Sequence, residues 1–120
     1  MSSYPVLLPL SAKAGATLDL TISWKEGGDV VDLSAPGWSA LLQVRTDPSD
    51  EVLIELASAD GEIVLGGDPY NVIAYFTEDH TETLGAGSFK YDLRLDDGAG
   101  TVLYLIEGSF KLKMPISRPA

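Results

Sequence analysis

Residues 87–96, GSFKYDLRLD, alternate apolar and polar side chains without a break. Phe89, Tyr91, Leu93 and Leu95 fall on one side, and Lys90, Asp92, Arg94 and Asp96 on the other. Successive side chains of a strand point to opposite faces, so this run is a strand with one face on a core and one in water. As a helix it would spread its apolar residues around the whole circumference. The following DDGAG, residues 96–100, is a turn signal, and residues 102–114 resume the alternation, so the two runs are expected to pair as an antiparallel hairpin. In the second arm of the hairpin Val102, Tyr104, Ile106, Phe110, Leu112 and Met114 are expected inward. Leu103, Leu105, Glu107, Ser109, Lys111 and Lys113 are expected outward, with Gly108 marking a bulge or bend.

The same period recurs upstream. Leu18, Leu20, Ile22 and Trp24 alternate with polar residues; Ala40, Leu42 and Val44 oppose Leu41, Gln43 and Arg45; Val52, Ile54 and Leu56 share a side. EIVLGG and NVIAYF are shorter and more apolar, as strands buried on both faces or near a crowded edge are. Turn signals separate these runs: EGGD at 26–29, APG at 35–37, DPSD at 47–50, ADG at 59–61 and GGDP at 66–69. Short strands with turns about every ten residues predict an all-β antiparallel sandwich or barrel. One stretch differs: Thr77 before Glu78 and Asp79, with Gly85 or Gly87 beyond, predicts a short helix near residues 78–84 with Leu84 turned inward.

At 120 residues the chain has the length of one domain. Its expected divisions are an N-terminal arm or edge strand over residues 1–15, a sandwich over 16–114 and a tail over 115–120. Apolar content of 45% is that of a folded domain. The net charge of −10 disfavours phosphate backbones, and of the eight Lys and Arg only Lys111 and Lys113 stand close together, so no nucleic acid is expected as partner. The absence of cysteine removes disulfides and thiolate chemistry. Pro5 and Pro9 break the one apolar run near the N-terminus, no basic residue precedes it, and no stretch approaches the roughly 20 apolar residues of a membrane span, so neither a leader nor a membrane partner is expected.

Little in the chain suggests chemistry. His80, the single histidine, stands near Asp79 and Glu82, yet no Gly-x-Ser-x-Gly turn supplies a nucleophile, and it is expected as an exposed residue of the helical turn. The eighteen acids show no Asp-x-Asp-x-Asp-Gly spacing for calcium, and Asp97–Gly98 is what a tight turn requires. Gly27/Gly28 and Gly66/Gly67 lack the lysine and the strand-to-helix setting of a phosphate loop. No catalytic residue, metal or cofactor is expected. Trp24 alternates inward; Trp38, after APG, either caps the core edge or offers an aromatic platform to a ligand. The anomaly lies in apolar residues expected outward: Leu103 and Leu105, with Val6, Leu7, Leu8 and Leu10 of the arm. They either cover one another or meet another subunit, and an arm of this kind is suited to strand addition.

The order of DLSAPGWSALLQVRT, VLIELAS, EIVL, a short helix and TLGAGSFKYDLRLDDGAGTVLYLIEGSFKL resembles a family of small phage and prophage proteins of the tail and baseplate. The matching positions are Asp32, Leu33, Arg45, Leu84, Gly87, Phe89, Tyr91, Asp92, Leu93 and Gly108, within a likeness spanning about residues 16–114. The family pattern usually has tyrosine where this chain has Phe89, so Phe89 can supply no hydroxyl reaching back to the backbone; such a contact would have to come from Tyr91, whose position on the strand is not expected to allow it. The resemblance implies an immunoglobulin-like sandwich of seven or eight strands. It also implies a non-enzymatic structural role in a virion, made in a bacterial cytoplasm and acting on other virion proteins or copies of itself. The alternative is a carbohydrate- or receptor-binding module using Trp38 and the end loops.

Overall fold

The structure, a computed structural model, describes residues 5–34, 36–47, 50–67 and 69–116. Residues 1–4 of the arm, 117–120 of the tail, and Ala35, Pro48, Ser49 and Asp68 of the expected turns lie outside the described residues. In chain order the strands are β1 (Val6–Leu7), β2 (Leu10–Lys13), β3 (Leu18–Ile22), β4 (Lys25–Glu26), β5 (Asp29–Val30), β6 (Ser39–Arg45), β7 (Ile54–Ala57), β8 (Ile63–Leu65), β9 (Val72–Phe76), β10 (Gly87–Asp96) and β11 (Val102–Lys113). The helix α1 (Glu78–Leu84) lies between β9 and β10. Among the described residues these eleven segments exceed the seven or eight strands expected, because three of them are only two residues long.

The chain is all-β in character, with its two main sheets sharing one core. In the larger sheet β11, β10, β6 and β7 run antiparallel side by side, while β1 and β2 lie along the outer edge of β11. The smaller sheet has the antiparallel order β3-β9-β8, and β4 and β5 form a separate ribbon. Leu42, Val44, Leu56, Leu93, Leu95, Phe110 and Leu112 of the larger sheet meet Leu20, Ile63, Val72, Ala74 and Phe76 of the smaller in one buried cluster. Phe76 and Phe110 cross the gap edge-on, with centroids 5.1 Å apart. Each such side chain stabilises the fold by about 1.5–3 kcal/mol on burial.

The hairpin of β10 and β11 follows the sequence alternation, but its register holds a correction. Leu93 pairs with Ile106, and Arg94 with Tyr104, so Leu105 is an extra residue in β11. The bulge is therefore here, not at Gly108. A one-residue slip turns every later side chain to the other face. Leu105 and Ile106 are both buried, Leu103 packs against the core, and Val102 and Tyr104 point to solvent. Met114, expected inward, is 62% exposed beyond the end of the strand. Of the two settings expected for β8 and β9, burial on both faces does not hold, since Val64 and Tyr75 are exposed, while β8 does lie at the edge of its sheet. Val52 precedes β7 and is exposed, whereas Ile54 and Leu56 point inward as expected.

The second departure is the direction of the arm, which lies on the sheet edge but not antiparallel to its neighbour. β1 and β2 pair with β11 in parallel, Val6 with Ile106 and Leu10 with Phe110, so one register runs past Pro9. The two short strands are separated at Leu8 and Pro9; Leu8 donates its N–H to β11, so by alternation the Pro9 nitrogen faces away from the ladder, where an edge strand tolerates proline. Gly27 (φ 61°) and Gly28 (φ 89°) close the β4–β5 ribbon in the left-handed conformation a two-residue hairpin needs. Asn71, fully buried before β9, holds that ribbon to the smaller sheet. Its amide nitrogen donates to the carbonyls of Trp24 (2.9 Å) and Val31 (2.8 Å), and its oxygen accepts from the Trp24 N–H (2.8 Å).

Helix α1 begins at Thr77 as the acids of its first turn predict. The Thr77 hydroxyl accepts from the His80 N–H (3.3 Å), while His80 Nδ1 accepts from the Thr77 N–H (3.0 Å). That bond leaves the other ring nitrogen, Nε2, to carry the proton, and it faces Glu62 at 3.4 Å. His80 is thus part-buried and used as a cap, with its ring edge-on to Phe76. Buried Thr81 donates to the Ala16 carbonyl (2.8 Å) and accepts from the Gly15 N–H (2.9 Å), fixing the turn between arm and β3. Leu84 packs against the core.

Candidate functional site

The outward face of the larger sheet carries a mixed-charge pattern set by register. One row crosses five strands: Leu7, Glu107, Asp92, Gln43 and Glu55. On one side of it lie Ser109, Lys90 and Arg45, and on the other Tyr104, Arg94, Leu41 and Ala57. A carboxylate row therefore runs between two rows that carry cations. The face is hollowed into an open groove of about 570 Å3, with Leu7, Leu41 and Tyr104 as its apolar lining and Arg45, Asp92, Arg94 and Glu107 as its charges. Arg45, Lys90 and Arg94 concentrate there three of the eight cations of an acidic chain.

Within the groove Arg45 donates to Gln43 Oε1 (2.9 Å) and to the Asp50 carbonyl (2.5 Å), while the Gln43 amide donates to Glu55 (2.7 Å). Asp92 has the like-charged Glu107 directly opposite it. Burial, then the Glu107 charge, hold the Asp92 carboxyl above its ordinary range, against the opposing pull of Arg45. Ionising it therefore costs the fold stability. That stability is fully present below the ordinary carboxylate range and is lost as pH rises through the raised folded value. Asp92→Asn is expected to raise stability near neutral pH by about 0.5 kcal/mol, a small figure because the carboxyl is part-solvated. Melting curves at neutral pH and at about pH 3 check it: the gain should vanish at the lower pH, where both proteins carry a neutral group.

One wall of the groove is the arm, and the arm is seated by two fitted groups. The Tyr91 hydroxyl, buried among Phe110 and its neighbours, donates to the Leu8 carbonyl (2.6 Å). Burial pushes its phenol above the ordinary value, so it stays a donor at any moderate pH. A β-carbon on Gly108 would collide with that same Leu8 carbonyl. The Leu8 N–H donates to the Glu107 carbonyl (2.9 Å), and the Ala14 N–H to that of Lys113 (2.9 Å). Tyr91→Phe is expected to cost about 1–1.5 kcal/mol and to speed amide exchange in residues 6–13 more than in β10. Equal acceleration in both would contradict a local role.

The structure divides the residues singled out in the sequence. Leu8 and Leu10 pack against the core from the edge, whereas Val6 (46%) and Leu7 (73%) stay exposed although their backbones are docked. Leu103 and Leu105 do not join them, because the bulge turns both inward. Trp38 stands edge-on to Trp24 with centroids 6.1 Å apart, part-buried at the core margin. Asp97 accepts from the Ala99 N–H (2.8 Å) and the Thr101 N–H (3.1 Å), bonds that hold its carboxyl below the ordinary range and make it a turn residue. Asp32 is held low in the same way by the Ser34 hydroxyl and N–H. Among the described residues no group of three or more His, Cys, Asp or Glu is placed to hold a metal ion. Tyr104 and Arg45 were the residues missed as groove members, since nothing in the letters places them beside Asp92. No protein-family model matches the chain, and no curated protein matches it.

Proposed function

We propose that the chain is an immunoglobulin-like sandwich acting as a non-enzymatic assembly component of a phage or prophage tail or baseplate, through contacts with other virion proteins or copies of itself. The fold part is supported by strand order. With β3 taken as strand B and β6 as C, the smaller sheet has the order B-E-D and the larger G-F-C-C′, as in immunoglobulin-type sandwiches. The observation that carries the function is the outward sheet face. Its groove pairs exposed Leu7 and Tyr104 with charges of both signs, the composition by which protein interfaces are recognised. The phage-like segment from Leu84 to Gly108 supplies Asp92 and Gly108 to that face and its edge. His80, the one candidate base, is engaged in the helix cap.

The test is composition. Particles induced from the strain that encodes the chain and purified on a density gradient should carry the protein at a fixed ratio to the other structural proteins. Its confinement to the soluble fraction would contradict the proposal. A second reading, a glycan-binding module, draws on the Tyr104 ring, 47% exposed beside Arg94 in the groove. It predicts a glycan hit that Tyr104→Ala abolishes and Trp38→Ala leaves largely intact.

A further inference from the structure

The outer edge of β11 is fitted to an occupant at the level of single atoms. Tyr91 offers a hydroxyl to the Leu8 carbonyl, and Gly108 omits the side chain that this carbonyl would strike. The edge also requires an occupant. Bare, it would present backbone groups from Ile106 to Lys113 above an apolar inner face of Ile106, Phe110 and Leu112, a template for pairing with any strand.

The occupant present is loosely held. It pairs in parallel, the less stable mode per residue, and its strand pairing is interrupted at Leu8 and Pro9. The buried core residues begin at Leu20, and the arm adds to them only the part-buried Leu8, Leu10 and Ala12. Removing the arm thus uncovers one margin of the core and not its centre, a local event below global unfolding. Its tether is the small-residue turn Ala14, Gly15, Ala16, Thr17, with Gly15 at φ +84° and open space around it. Rotation at Gly15 gives up its N–H bond to Thr81 but can redirect the arm while Thr81 keeps its bond to the Ala16 carbonyl.

We propose that the β11 edge is a strand-acceptor slot whose partner is the arm, residues 5–13, of a second copy of this chain, two copies exchanging arms reciprocally. The proposal rests on the assembly reading above and names one of its contacts. Exchange remakes every slot contact between chains, so no new complementary surface is needed, and the dimer closes on itself. Leu7 of one copy then completes the groove of the other. The charge of −10 on each copy opposes the encounter, so salt favours exchange.

The chain has no cysteine, which allows a direct test. Ser11 and Lys111 are register partners, both exposed, and neighbouring strands lie within the reach of a disulfide. Full-length Ser11→Cys and Lys111→Cys proteins are mixed and oxidised, with each alone as background and the double variant as a control for geometry. Exchange predicts a covalent heterodimer well above either background, rising with concentration and salt, and reduced tenfold or more by Gly108→Ala in both chains. A double variant that closes only within its own chain, with no heterodimer in the mixture, overturns the proposal. So does a heterodimer indifferent to Gly108→Ala, and a double variant that closes in neither manner overturns the register itself. The result is independent of whether the protein is found in particles, so the two readings fail separately.

Discussion

Gly108→Ala is expected to lower stability by about 2–3 kcal/mol, roughly 10 °C in melting temperature, and to release the arm. The added methyl group would meet the Leu8 carbonyl, backbone that has no rotamer by which to escape. Relief comes only by moving the arm outward, which breaks the Tyr91 bond and uncovers Leu8, Leu10 and Ala12. The conformation of Gly108 itself is one that alanine tolerates, so close approach alone carries the effect. Ser109→Ala, one position along the exposed face, should change stability by less than about 0.5 kcal/mol. Thermal melts with amide exchange on residues 6–13 check this. An arm as protected in the variant as in the parent would contradict it.

Asn71→Ala is the second large effect, about 3 kcal/mol. One amide makes three bonds to backbone groups of Trp24 and Val31 in a fully buried position. Alanine removes two donors and an acceptor at once and returns none of them to water. The β4–β5 ribbon should loosen, and with it the edge-on packing of Trp24 on Trp38. The expected signs are a melting temperature lower by about 10 °C and weakened near-ultraviolet circular dichroism from the tryptophans. A variant that melts with the parent would show the ribbon to be held by something else.

These two residues also mark the limit of what the letters carry. The alternation in 87–96 was legible because its apolar and polar residues differ sharply, and the structure follows it from Gly87 to Asp96. β11 was legible as a strand but not in its phase. Val102, Tyr104, Leu103 and Leu105 are all apolar enough for either face, and the bulge that chooses between them is a property of pairing with β10. Gly108 signalled an irregularity, but the cause is a strand about 100 positions away in register, which no local pattern contains. Asn71 is, in the sequence, one polar letter before an apolar run, and nothing marks it as buried. His80 was more legible than its expected exposure allowed. It stands three residues after the Thr77 cap, where a side chain that reaches back completes the capping box. Lys90, Asp92 and Arg94 were correctly placed outward, yet the groove needed Gln43, Arg45 and Glu107 brought beside them by register.

The chain's central property, on this account, is contact with further copies through an edge strand and the face beside it. Light scattering on the full chain, from about 5 µM to about 1 mM at roughly 0.05 and 0.5 M salt, tests it most directly, since salt of that range shortens the reach of the repulsion between acidic copies. The predicted result is a mass that rises from 12.8 kDa toward a discrete dimer, earlier at high salt and not in Gly108→Ala. A mass of 12.8 kDa at every concentration and both salts would contradict it.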